Sequence, residues 1–169
     1  MLSSQNIKIA NQLYKRAFHW QIKGDFLQAR ENYLASIEIF PTVEALVNLG
    51  WTYSKEQNFN EAIRQCHKAL VLNQNYGMAY SDIGYYLLKS NKIDEAIVWL
   101  EEAVLQNDFA GKFFAFFNLG KAYEQKGLWQ KAIMMYKKSI LLKPGFKLGF
   151  KKYSILSCFR HNFARKKLS

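Results

Sequence analysis

Proline and cysteine are scarce in this chain of 169 residues, two of each, and glycine occurs only nine times. With half of the residues apolar and 22% charged, that composition excludes a collagen-like, low-complexity or disordered chain, and leaves a single folded domain, 1–169, with its own core. Cys66 and Cys158 have 91 residues between them, so neither a disulfide framework nor a metal-ligand pair is legible. A reducing compartment, the cytoplasm, is the expectation. Long apolar runs are missing too: the densest, Ala110 to Leu119, is broken by Gly111, Lys112 and Asn118, and no membrane span is expected. The stretch Met1 to Ala10 lacks a basic cap, an apolar segment and a small-residue cleavage site, so no export signal is expected. Acidic residues vanish after Glu124, whereas twelve Lys or Arg follow it, and the last 45 residues therefore hold the whole excess of the formal charge of +11.

Catalytic signatures are absent as well. His19, His67 and His161 are isolated, no phosphate-cradling glycine loop or nucleophile elbow occurs, and Asp94-Glu95 reads as helix-start electrostatics. No enzyme, cofactor or metal site is expected. Cys66 reads as a small buried hydrophobe rather than a reactive thiol.

What is present is an internal repeat. Ala29, Ala62, Ala96 and Ala132 are spaced by 33, 34 and 36 residues, and each is followed four residues later by Tyr33, Cys66, Leu100 or Tyr136. Twelve residues before them stand Ala17, Gly50, Gly84 and Gly120. Leu46, Leu49, Gly50 and Tyr53 fall on one face of a helix, as Ala62, Cys66, Ala69 and Leu70 do on the next. Glycine in mid-helix costs about 1 kcal/mol relative to alanine, so its recurrence demands a packing reason: two helices nest where their small residues meet. The breaks Lys23-Gly24, Gln57-Asn58, Ser90-Asn91 and Lys126-Gly127 suit tight turns between such helices.

These residues make the chain resemble the tetratricopeptide repeat family, over 10–43, 43–76, 77–110 and 113–146. Pro41 and Pro144 occupy the family's late proline site, Gln74 and Asp108 replace it in the middle units, and Gly111-Lys112 is an insertion. The resemblance implies an all-α, right-handed solenoid of four helical hairpins whose first helices line a concave side. Phe146, Phe150, Tyr153, Leu156 and Phe159 continue the helical pattern, which predicts a capping helix over 147–160, then a basic tail over 161–169.

The same resemblance places Tyr14, Val47, Ser81 and Phe117, three residues before each small position, and Phe18, Trp51, Tyr85 and Lys121, one after it, on the groove wall. Asn48, Lys55, Lys89 and Asn118 complete the candidate peptide-binding groove. The competing reading of the rings is packing. A relative that grips a chaperone's terminal carboxylate needs Lys, Asn and Arg; here Tyr14, Phe18, Met78 and Asp82 stand at four of those places and only Asn48 matches, which disfavours that ligand. The expected function is a non-enzymatic scaffold for a protein or peptide, with self-association open. The alternative is targeting or assembly through the basic patch Lys147, Lys151, Lys152, Arg160, Arg165, Lys166 and Lys167, toward nucleic acid, anionic membrane or an acidic partner.

Overall fold

The computed structural model describes residues 4–107 and 109–166, with side chains described as far as Ser157. Among the described residues it holds nine helices and no strand: α1 (Ser4–Lys23), α2 (Phe26–Ile39), α3 (Val43–Lys55), α4 (Phe59–Leu72), α5 (Gly77–Lys89), α6 (Ile93–Leu105), α7 (Lys112–Gln125), α8 (Trp129–Leu142) and α9 (Lys147–Lys166). The expected all-α solenoid of helical hairpins is what forms.

The hairpin turns follow from backbone chemistry. Gly24, Gln57, Asn91 and Gly127, one per turn, all have positive φ, between 59° and 82°. That left-handed residue lets the chain reverse and close a helix-ending motif each time: the amides of Asp25, Asn58, Lys92 and Leu128 donate to the carbonyls of Trp20, Tyr53, Leu87 and Tyr123. The residue that makes this bond then starts the next helix. Asp25 and Asn58 also cap it with their side chains, accepting from the amides of Gln28 and Glu61, whereas Lys92 and Leu128 make no side-chain cap.

Helices pack chiefly as the pairs α1/α2, α3/α4, α5/α6 and α7/α8. The small residues sit at the seams. Ala17, Ala29, Ala62, Ala96 and Ala132 are fully buried. A Cβ placed on Gly120 would lie 2.5 Å from Tyr136 Cε1, and one on Gly84 would collide with Leu100. The glycines thus make room for the large residue four places after each alanine, the packing reason their helix penalty required. At the two outer pairs a buried serine adds a cross-helix bond: Ser36 Oγ donates to the Ala10 carbonyl and Ser139 Oγ to that of Phe113, both at 2.8 Å.

Odd-numbered helices also touch one another, α1 to α3, α3 to α5 and α5 to α7, while among the described residues even-numbered ones make no comparable contact. The odd helices are therefore the inner, concave layer. α9 continues it: Gly149 is buried at the register of Ala45, Ala79 and Ala115, and Leu156 and Tyr153 join the core. This helix runs to Lys166, past the expected end at residue 160, because no glycine or proline follows Gly149 to stop it. The backbone of residues 161–166, expected in the basic tail, accordingly belongs to the helix.

Candidate functional site

Helical geometry sorts the inner-layer residues by direction. At about 100° per residue, taking each small position as facing the outer helix, the residue three before it points about 60° away, one after about 100°, five after about 140° and two before about 160°. The last three directions face the concavity; the first faces the seam between successive pairs.

Of the seam set, Val47 and Ser81 are consumed by packing, which corrects the expectation that they wall the groove, whereas Tyr14 and Phe117 are half-buried. Val47 and Ser81 are 6% and 3% exposed. Tyr14 lies 5.8 Å from the Tyr33 ring, and its hydroxyl accepts from Asn48 Nδ2 at 3.0 Å, tying α1 to α3. Phe117 packs 5.5 Å from Tyr136 and 5.0 Å from Phe146. Asn118, two before its glycine, is 7% exposed and lies on the floor.

The residues one after the small position behave differently. Phe18 is exposed, and Trp51, Tyr85 and Lys121 are half-buried. Trp51 leans on Phe26 at the first hairpin turn, with ring centroids 5.8 Å apart and nearly perpendicular planes. One helical turn on, Lys55 Nζ sits 4.3 Å from the Trp51 ring centroid, and Lys89 Nζ sits 5.8 Å from that of Tyr85. The same ring-and-ammonium pair thus recurs at equivalent places on α3 and α5. On α7 the ring is replaced by Lys121 itself.

Two further groove residues come from the column two before the small position. Asp82, on α5, is half-buried and makes no hydrogen bond or ion pair among the described residues; burial alone pushes its carboxyl up to about 7. Lys152, on α9, donates to Glu124 Oε1 at 2.8 Å, and Glu124 also accepts from the Tyr136 hydroxyl. The residue pattern already contained both, since the column of Asn48, Asp82, Asn118 and Lys152 lies opposite the outer helix. Its direction follows from the helix period, not from residue type.

Below the groove, burial pushes the Cys66 thiol well above its ordinary value, as suits a core residue. Of the basic patch, Lys147 and Lys151 are exposed and Lys152 is engaged by Glu124. The side chains of Arg160, Arg165 and Lys166 and the whole of Lys167 lie outside the described residues. No helix among the described residues is long and apolar enough to cross a membrane.

Paired helices stacked with small residues at their seams define a helical-repeat solenoid. Residues 43–76 and 115–148 each match the tetratricopeptide repeat family model, and the chain belongs to the tetratricopeptide repeat proteins. Among solved structures it is similar to the MamA protein, at 29% identity, with 88% of this chain and 81% of that one covered and a TM-score of 0.71. PilF of Pseudomonas aeruginosa shares the fold, with a TM-score of 0.86 over 95% of this chain and 73% of that one, at 18% identity. A curated relative, the Photosystem I assembly protein Ycf3 of Prochlorococcus marinus, is 29% identical over 101 residues, 53% of this chain. That match spans 58% of the relative's length.

Proposed function

We propose that the protein is a non-enzymatic scaffold that holds a peptide segment of a partner protein along its concave side, over Phe18, Trp51 and Tyr85 and beside Lys55, Lys89 and Lys121. The observation that carries this reading is the repeated pair of half-buried ring and lysine on α3 and α5. The seams are filled from the column of Val47 and Ser81, and although Tyr85 also packs in part against the core, both rings keep part of their surface open. Half-buried aromatic rings on a rigid inner wall offer apolar area at low ordering cost. Families of this fold act generally through binding, and the printed name of Ycf3, an assembly protein, supports a role in assembling a complex. A double variant, Trp51→Ala with Tyr85→Ala, is expected to lose partner capture in a crosslinking pull-down while keeping its helical circular dichroism. Undiminished capture would remove the groove from consideration.

A second reading places assembly or targeting in the basic end. It is favoured by twelve Lys or Arg and no acid after Glu124, with Lys147 and Lys151 exposed. Charge reversal at Lys147, Lys151, Arg165 and Lys166, read by salt-dependent binding to RNA and to anionic vesicles, tests it; unchanged binding rejects it. A cytoplasmic setting is proposed with both readings, on the buried free thiol of Cys66.

A further inference from the structure

Among the described residues, one unpaired carboxylate stands against the lysines of the groove, Asp82, which burial holds largely protonated below about pH 7. Lys55 and Lys89 are exposed, Lys121 is half-buried, and among the described residues none of the three forms an ion pair with a carboxylate. The charges of Lys89 on α5 and Lys152 on α9 both act on Lys121 on α7, and Lys152 reaches α7 through its bond to Glu124, so lysines of three successive inner helices load one stretch of the wall with positive charge. Glu124 is the carboxylate that reaches Lys121, and it is already committed to Lys152 and to the Tyr136 hydroxyl. Burial, and after it the charges of Lys89 and Lys152, lower the Lys121 pKa, with Glu124 acting the other way.

The rings beside this cluster narrow the choice of ligand. A face of Trp51 is covered by the Lys55 ammonium and one of Tyr85 by that of Lys89, so the attraction of these rings for a cation is already met from within the chain. A ligand bearing Lys, Arg or a quaternary ammonium gains nothing there and meets repulsion. Nucleic acid would need those same ring faces for base stacking. The chain's own C-terminal quarter, and that of a second copy, has no acidic residue to offer after Glu124.

From this geometry we propose that the groove takes an acidic polypeptide segment, its Asp or Glu carboxylates at the Lys89–Lys121–Lys152 end and its apolar side chains against Trp51 and Tyr85. The proposal rests on the reading of the concave side as a peptide groove and names its ligand class. Carboxylates there gain charge-assisted hydrogen bonds from the Lys89 and Lys121 ammonium groups, which form no ion pair among the described residues, and the surrounding positive field, to which the Glu124-paired Lys152 adds, speeds their approach.

The test is selection of a displayed random-peptide library on the full chain, followed by affinity measurement of the enriched peptides by fluorescence anisotropy. Enrichment of Asp and Glu beside Leu, Phe or Trp is the expected result. So is a loss of about tenfold in affinity for Lys121→Gln, a smaller loss for the exposed Lys89→Gln and no change for Lys68→Gln on α4, with a weaker dependence on salt in the first two. Enriched peptides that are neutral or basic, yet lost with Trp51→Ala, would overturn the acidic ligand and leave the groove standing. Absence of any enrichment would overturn both. Tighter binding of a single-stranded RNA oligonucleotide that is abolished by Lys121→Gln, or a concentration-dependent dimer in sedimentation that Lys121→Gln dissolves, would assign the cluster to nucleic acid or to a second copy and overturn the proposal.

Discussion

Asp82 shows how a single side chain can work against the fold that holds it. Its carboxyl is harder to ionise in the folded chain than in the unfolded one, because burial raises it to about 7 and no partner compensates. As pH rises, the unfolded state releases this proton first, so the contribution of Asp82 to stability is intact below about pH 4 and declines as pH climbs through 7. Asp82→Asn, which removes the charge and keeps the shape, is therefore expected to be more stable than the parent at pH 8 and equal to it at pH 4. Urea midpoints at both pH values measure this; a variant that is no more stable at pH 8 would mean the carboxylate is solvated. Residue type did reveal the seam: Gly84 and Gly120 announced close approach, and Leu100 and Tyr136 are what approach. Asp82 entered the sequence reading only as a mismatch to the carboxylate-gripping relatives, and the contacts among α3, α5 and α7 show that its helix lies in the inner layer.

At the scale of elements, the four hairpin turns use one backbone solution with unequal residues. Gly24 and Gly127 adopt positive φ without penalty, whereas Gln57 and Asn91 reach φ of 60° and 59° against the steric preference of L residues. Gln57→Gly is expected to stabilise the protein by about 1 kcal/mol, and Gly24→Gln to destabilise it by a similar amount, both read from denaturant unfolding. A loss of stability in Gln57→Gly would mean its side chain contributes more than its backbone strain. The turns were legible as polar or glycine breaks, and their positions matched because the helix-ending motif and the following N-cap occupy adjacent residues, with Asp25 and Asn58 as caps. The wall of the groove was half legible. Trp51 and Tyr85 are half-buried on the inner helices, whereas among Tyr14, Val47, Ser81 and Phe117, which the family resemblance also placed on the wall, Val47 and Ser81 are buried. The angle of about 60° that turns them into the seam comes from the helix period and the position of the neighbouring pair. The length of α9 escaped because the apolar pattern was followed only to Phe159, while helix-breaking residues, which decide where a helix must end, are absent after Gly149.

For the whole molecule, stacking makes the inner layer rigid and leaves its exposed side chains in fixed array, which is what a low-entropy binding surface requires. Charge completes the picture. The stretch up to Glu124 is nearly neutral while the rest is strongly basic, and the inner wall joins the two at Lys121 and Lys152. The central claim is that a partner segment lies along this wall. Its most direct measurement uses the four tryptophans, Trp20, Trp51, Trp99 and Trp129, whose indole N–H signals report separately in a ¹⁵N-labelled sample. On titration with a peptide enriched from the library, the Trp51 signal should shift and lose its response in Lys121→Gln, while Trp129, exposed on α8 in the outer layer, should stay fixed. Movement of Trp129 or Trp99 with Trp51 unmoved would place binding on the outer surface and contradict the account.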